Sequence, residues 1–168
     1  MTVAAPDIHR VNLQMPRHVQ LDDDLLFAIC QANREYRIER NSKGDIEIMP
    51  PTGAETGRRN SDIAVDLGSW ARLDGRGVAF DSSTGFILPN GAMRSPDASW
   101  LLRERLAQLT PAQKQRFLPL APDLAIELAS PSDDIEDLRA KMQEYRANGV
   151  QLGWLILPEQ RRVWVYQG

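Results

Sequence analysis

Apolar residues recur at intervals of three and four positions in three segments of the chain, which is the spacing of one helix face. These segments are residues 21–33, 58–73 and 134–148. The predicted apolar faces comprise Leu21, Leu25 and Ala28; then Ile63, Leu67, Trp70 and Leu73; and finally Ile135, Leu138, Met142 and Tyr145. Acidic residues open the first segment and glycines follow the other two, as at helix starts and ends. Three main helices are therefore predicted, with shorter helical turns at residues 104–109 and 111–117.

Runs of alternating or continuous apolar residues between these helices predict β-strands. The predicted strands are residues 36–40, 45–49, 78–81, 85–88, 94–101, 124–129, 152–157 and 162–166. Residues 124–128 and 154–157 are mainly apolar on both faces, which is typical of a central sheet covered by helices. From residue 58 onward the predicted order is α-β-β-β-α-β, preceded by a helix and a β-hairpin, so the predicted fold class is mixed α/β.

The length and composition are those of one ordinary domain. The chain has 168 residues, of which 42% are hydrophobic and 26% charged, and one core is the usual arrangement at that size. Residues 1–20 show no period and contain Pro6 and Pro16, so we interpret them as an N-terminal arm before a single domain at residues 21–168. No apolar run is long enough to span a bilayer, and the N-terminus lacks the pattern of a secretory signal.

Cysteine content and charge say little about partners. Cys30 is the only cysteine, and its place in an apolar helical pattern favours a buried thiol and a reducing cytoplasm. The formal net charge of −3 argues weakly against a nucleic-acid-binding protein, which is usually basic. Because a local groove can be positive on an acidic protein, the charge balance leaves DNA binding open.

Glu127 is the residue that points most directly to a site. It is the one polar residue in the run 124–129, and an unpaired carboxylate there would be costly or would stay protonated. Strand alternation places Glu127 between Ala125 and Ala129 on one face, which leaves room for an ion and a substrate. A salt bridge to an arginine at the sheet end is the alternative, and we favour the functional interpretation.

Asp97 lies beside Pro96, which removes a backbone donor and interrupts the predicted strand at residues 94–101. An aspartate at such an irregularity can bind a hard cation or can satisfy a turn. If Asp97 and Glu127 lie on neighbouring strands, their two carboxylates repel each other unless a cation binds between them. Magnesium suits such a place, because it is commonly bound by one or two carboxylates together with waters and phosphate. Both histidines, His9 and His18, lie in the arm, so a zinc site is not expected.

Lys141 lies at the margin of the apolar stripe of the helix predicted at residues 134–148. A lysine at such a margin usually extends along the apolar surface into solvent. It could instead reach a carboxylate cluster on the preceding strand, and position alone favours the solvated alternative.

A set of motifs spread over nearly the whole chain matches a known pattern. The motifs comprise Ser95-Pro96-Asp97 and residues 36–39, 49–53, 81–86, 122–133, 141–145, 148–150, 153–156 and 162–166. Together they resemble the Uma family of restriction endonucleases, which belongs to the PD-(D/E)XK nuclease superfamily. The set is specific, although any single motif is not.

The resemblance implies a restriction-endonuclease-like core with the order α-β-β-β-α-β, which agrees with the order predicted from the patterns. It implies that Asp97 and Glu127 bind Mg²⁺ or Mn²⁺, with Glu39 as a third acidic ligand, and that the metal activates water against the scissile phosphate. It also implies DNA as the partner, with a homodimer as an open option. Relatives carry a lysine two residues after the glutamate, where this chain has Ala129, and Lys141 is the residue that would take that role.

The sequence is compatible with two functions of different classes. A metal-dependent DNA endonuclease is favoured by the pair of Asp97 and Glu127 with Lys141 in reach. A non-catalytic binding or interaction module on the same fold is favoured by Ala129 in place of the lysine and by the acidic pI of 5.4. We favour the endonuclease.

Overall fold

The structure is a computed structural model that describes residues 10–16, 18–19 and 21–168. Its helices are α1 (Asp23–Ala32), α2 (Ala54–Asp74), α3 (Arg103–Ala107), α4 (Pro111–Lys114) and α5 (Ile135–Ala147), with a 3₁₀ turn at Pro158–Gln160. Its strands are β1 (Val11–Leu13), β2 (Arg37–Arg40), β3 (Ile46–Met49), β4 (Gly77–Asp81), β5 (Phe86–Ile87), β6 (Met93–Arg94), β7 (Ala98–Leu102), β8 (Leu124–Leu128), β9 (Leu152–Leu157) and β10 (Arg162–Gln167). The three predicted main helices are present, and the mixed α/β fold class is confirmed.

A five-stranded sheet with the order β10-β9-β8-β7-β4 carries the larger part of the core. Strands β8 and β9 are parallel and are connected through α5, while the other neighbouring strands are antiparallel. Along β8, Leu124 and Ile126 pack on one side of the sheet, whereas Ala125 and Ala129 pack on the other side with α5. This is the predicted alternation, and it places Glu127 on the α5 side.

The remaining strands form a second five-stranded sheet, with the order β1-β3-β2-β6-β5, which the sequence patterns did not predict. The division occurs at Ser95-Pro96-Asp97, where the strand predicted at residues 94–101 is split into β6 and β7, which belong to different sheets. The proline lacks the backbone donor that a continuous strand would need.

The N-terminal arm contributes to this second sheet. The hairpin of β2 and β3 forms as predicted, and β1, within the predicted arm, adds a strand against β3. That strand was not predicted, because three residues are too few to show a period. Residues 1–9 of the arm lie outside the described residues.

Helices α2 and α5 cover opposite sides of the larger sheet. On α5, Met142 and Tyr145 are fully buried, and Ile135 and Leu138 pack at the edge of the same cluster, so the predicted face of this helix is correct. In the part of the chain that the structure describes, we find no helix with both the length and the apolar character needed to cross a membrane.

The predicted face of α2 is partly wrong. Ile63 and Leu67 pack toward the sheet, but Trp70 is 44% exposed and Leu73 is 89% exposed. Ala71 is buried in their place. At roughly 100° per residue, Leu73 lies about 120° around the helix from Leu67, which is outside the buried stripe.

Met142→Ala is expected to lower the free energy of unfolding by about 2–5 kcal/mol. The side chain is fully buried, and β9 approaches it so closely that a Cβ on Gly153 would lie 2.5 Å from the Met142 Cε atom. Urea denaturation followed by circular dichroism measures the loss. Leu73→Ala is the control, because that leucine is exposed and its removal should change little; equal losses in the two variants would show that the core is misplaced.

Candidate active site

Asp97 lies directly before β7, side by side with Glu127 on the paired strand β8. The antiparallel register pairs Ala98 with Ile126, so one step toward the end of the pair places Asp97 opposite Glu127. Both carboxylates are buried. Strand alternation points them to the same side of the sheet, which is the side that α5 covers. The structure therefore brings together the two carboxylates that the sequence indicated.

Asp97 is held by a backbone amide and a guanidinium. Its Oδ2 atom accepts a hydrogen bond from the Leu128 amide at 2.8 Å, and its Oδ1 atom accepts one from Arg37 Nη1 at 2.7 Å. Arg37 lies on β2, in the other sheet, and its Nη2 atom also donates to the Ser95 carbonyl. Burial alone would lower the pKa of Arg37, but the attraction of Asp97 and Glu39 outweighs burial and raises it. Arg37 is therefore a permanent cation beside Asp97.

Glu127 is held by two side chains of α5. Lys141 Nζ lies 2.9 Å from Glu127 Oε1, and the Tyr145 hydroxyl donates to the same oxygen at 2.8 Å. Lys141 and Tyr145 are four positions apart, so one face of the helix presents both groups. Burial raises the pKa of Glu127; the charge of Lys141 opposes that effect and Asp97 adds to it. An additional cation at this point would favour the ionised carboxylate.

Glu39 on β2 is fully buried, and both of its oxygens are engaged. Its Oε1 atom accepts hydrogen bonds from Lys141 Nζ and from the Ser95 amide, each at 3.0 Å, and its Oε2 atom lies 3.2 Å from Arg94 Nη1. Burial opposes ionisation, but the attraction of Lys141 and of the neighbouring arginines lowers the pKa of Glu39 to about 2. Lys141 therefore lies between Glu39 and Glu127 and joins the two sheets.

Arg94 extends the cluster away from the central carboxylates. This buried guanidinium contacts Glu47 as well as Glu39, and its Nε atom donates to Glu144 Oε2 of α5 at 2.7 Å. Arg10, before β1, pairs with Glu47 from the outer side. Arg94 is thus the shared partner of three carboxylates, two on strands β2 and β3 of its own sheet and one on α5.

A cavity of about 420 Å³ lies against this end of the cluster. Lys43, Glu47, Arg94 and Lys141 contribute to its lining, whereas the two central carboxylates do not. A polar group that entered the cavity would therefore meet the side of the cluster that contains Lys141.

The four residues that the sequence and the resemblance indicated, Asp97, Glu127, Lys141 and Glu39, all meet in this cluster. The solvated alternative for Lys141 does not hold, because its side chain is only 8% exposed. Ala129 lies on the same side of β8 as Glu127, and its methyl group brings no charge to that position.

The carboxylates of the cluster could provide only part of the coordination shell of a magnesium ion. Within residues 10–16, 18–19 and 21–168, no three His, Cys, Asp or Glu side chains form a group that could hold a metal ion. Instead, Arg37 donates a hydrogen bond to Asp97 and Lys141 donates one to Glu39. Magnesium, however, is commonly bound through one or two carboxylates with waters and phosphate. The chemistry of Asp97 and Glu127 therefore fits a hydrated ion and does not form a closed protein cage.

Sequence reasoning missed three members of the cluster. Arg37 precedes Glu39 by two positions on β2, so the predicted hairpin already placed the two on one face. Tyr145 was predicted only as part of an apolar face, although its spacing of four from Lys141 was visible. Arg94 had no local signal, because its partners are separated from it by about fifty positions along the chain.

Comparisons with known proteins agree with this geometry. Residues 23–168 match the family Uma2, described as "Putative restriction endonuclease". The fold is similar to a crystal structure described as "a putative nuclease belonging to DUF820" from Anabaena variabilis ATCC 29413, with a TM-score of 0.65 and 22% sequence identity over 77% of this chain and 71% of that chain. No curated protein matches the chain. The resemblance stated from the motifs and the restriction-endonuclease-like fold are thereby confirmed.

Proposed function

The chain belongs to the Uma2 restriction-endonuclease family, and from that membership we propose that it is a Mg²⁺- or Mn²⁺-dependent endonuclease that hydrolyses phosphodiester bonds of DNA at Asp97 and Glu127. The observation that carries the proposal is the meeting of these two buried carboxylates on adjacent strands with Lys141 in contact with one of them. Buried groups of this kind cluster at functional sites, where the environment sets their charge.

Asp97 and Glu127 would hold the divalent cation, since both carboxylates open on the same side of the sheet. When bound, such an ion supplies Lewis-acid stabilisation of charge on the phosphate and acidifies water. The Leu128 amide fixes the orientation of Asp97, and the Tyr145 hydroxyl fixes that of Glu127. Burial, and secondly Glu127, raise the pKa of Tyr145 well above its usual value, so the hydroxyl stays protonated and continues to donate.

Lys141 supplies the positive charge that the family places two residues after the glutamate. Its ammonium is fixed by Glu39 and Glu127 at 3.0 and 2.9 Å, so it requires no reorganisation when charge develops on the phosphate. The cavity beside it gives a phosphate oxygen a route to Nζ.

Glu39 was assigned as a third acidic ligand on the basis of the resemblance, and that assignment stays a prediction. Both of its oxygens already accept from fixed donors, and its low pKa keeps it ionised. These contacts support a positioning role, in which Glu39 holds Lys141 toward Glu127.

Asp97→Asn is expected to abolish Mg²⁺ binding in a calorimetric titration and Mg²⁺-dependent nicking of supercoiled plasmid DNA. An amide is a weaker ligand for a hard cation than a carboxylate. The matched control is Asp123→Asn, because Asp123 also follows a proline and accepts from an arginine and a backbone amide. The control should retain both properties. Equal loss in both variants would point to a general effect on the fold and would contradict the assignment.

A second candidate function is a non-catalytic binding module on the same fold. The observation that favours it is that Arg37 and Lys141 already provide opposite charges for Asp97 and Glu127. In that case the wild-type protein would bind no Mg²⁺ and would cut no DNA, so the titration separates the two functions.

A further inference from the structure

Asp97 is held by a cation that solvent can reach. The Arg37 side chain retains 29% exposure, whereas Lys141 retains 8%. Within the described part of the chain, the Nε atom of Arg37 is buried and has no hydrogen-bond partner. A buried donor without a partner is unfavourable, so this guanidinium is incompletely satisfied where it lies. Of the two cations bound to the central carboxylates, Arg37 is therefore the one that can leave.

The same arrangement occurs at the opposite end of the same strand pair. Arg105 Nη1 lies 2.6 Å from Asp123 Oδ1, and its Nη2 atom donates to the Ala121 carbonyl at 3.0 Å. The other oxygen of Asp123 accepts from the Leu102 amide at 2.8 Å. In both places an arginine binds the aspartate that follows a proline, together with the carbonyl two residues before it. The Asp123 pair shows that such a contact can serve the fold alone.

The surroundings of the two pairs differ in charge. Among the described residues, Asp123 has one arginine partner, so that pair is balanced. Around Asp97, the ion pairs of the described residues form a connected set of five carboxylates and four cations, which carries one excess negative charge when every member is ionised. Its members are Glu39, Glu47, Asp97, Glu127 and Glu144 with Arg10, Arg37, Arg94 and Lys141. The set at Asp97 can therefore accept further positive charge, and the pair at Asp123 cannot.

We propose that Arg37 is an internal competitor of the metal, so that a divalent cation binds Asp97 only when the guanidinium of Arg37 releases its Oδ1 atom. The affinity for the metal is then set by this exchange. The inference rests on the proposed function, because it assumes that Asp97 is a metal ligand. It goes further by assigning a role to Arg37, a residue of the motif at 36–39 to which the resemblance gave no role.

Arg37→Gln removes the competing cation and should lower the dissociation constant for Mn²⁺ by at least about ten-fold, as expected for loss of a charge-assisted contact. Electron paramagnetic resonance of free Mn²⁺ measures this without any cleavage assay. Arg105→Gln is the matched control, since Arg105 has the same contacts and a similar exposure of 33%, and its Mn²⁺ affinity should equal that of the wild type.

A second measurement uses the wild-type protein and does not depend on the variant folding. Phenylglyoxal modifies free guanidinium groups, and mass spectrometry of the digested protein reports the rate at each arginine. Mn²⁺ should speed the modification of Arg37 several-fold and leave that of Arg105 unchanged.

Three results would overturn the inference in distinguishable ways. Equal Mn²⁺ affinities for Arg37→Gln and the wild type would exclude the competition while leaving the metal site in place. Modification of Arg37 at the same rate with and without bound Mn²⁺ would exclude its release. Absence of Mn²⁺ binding in both proteins would show that there is no metal site, and would therefore also exclude the exchange between Arg37 and the metal.

Discussion

Lys141→Met is expected to reduce metal-dependent cleavage of plasmid DNA by roughly 10²- to 10³-fold, the usual effect of removing one preorganised group that stabilises transition-state charge. The same change should lower the free energy of unfolding by about 3–5 kcal/mol, because it leaves the buried carboxylate of Glu127 without its cation. Lys141 contacts Glu39 and Glu127 at 3.0 and 2.9 Å, so both effects have one structural origin. Initial rates of nicking and urea denaturation measure them separately.

A double variant separates the catalytic role of Lys141 from its contribution to stability. Adding Glu127→Gln to Lys141→Met neutralises the carboxylate whose ion pair, among the described residues, is with Lys141, so part of the lost stability should return. Cleavage should not return, because no positive charge is restored. Lys114→Met, at an exposed lysine of α4, should change neither property. Cleavage by Lys141→Met at the wild-type rate, with the protein folded, would exclude the relocated lysine.

The two central carboxylates were predictable because local patterns dictate them. Glu127 is the single polar residue in an otherwise apolar strand, and strand alternation alone placed it between two alanines on one face. Pro96 marked the break that presents Asp97 at the start of β7. Each signal lies within a few residues of the side chain that it concerns, so one sequence was sufficient.

The cations of the cluster could not be predicted in the same way. Arg37 reaches Asp97 across the junction between the two sheets, whereas Arg94 reaches Glu39 within its own sheet and Glu144 on α5. Neither set of contacts is a local property of the sequence. The sequence pattern predicted the hairpin that contains Arg37 but did not indicate which carboxylates it would face. Lys141 was ambiguous for a related reason, because the margin of an apolar stripe faces solvent or a buried cluster according to what packs beside it.

The largest effect on stability is expected from Arg94→Met, which should lower the free energy of unfolding by at least about 3–5 kcal/mol. Arg94 is the shared partner of Glu39, Glu47 and Glu144, and its side chain is 7% exposed. Removing the guanidinium leaves three carboxylates, on β2, β3 and α5, without their common cation. Urea denaturation at neutral pH measures the loss.

Arg58→Met is the matched control, because burial is the main difference between the two arginines. Arg58 also has more than one acidic partner, Glu55 and Asp62, but its side chain is 60% exposed on α2. Water and salt screen such a surface pair, so its removal should have little effect on stability. High salt should leave the deficit of Arg94→Met largely unchanged, since a buried cluster is screened much less. Similar small losses in the two variants would mean that the Arg94 contacts do not stabilise the junction between the second sheet and α5, and that Lys141, the Ser95 amide and Arg37 suffice to hold Glu39 in place.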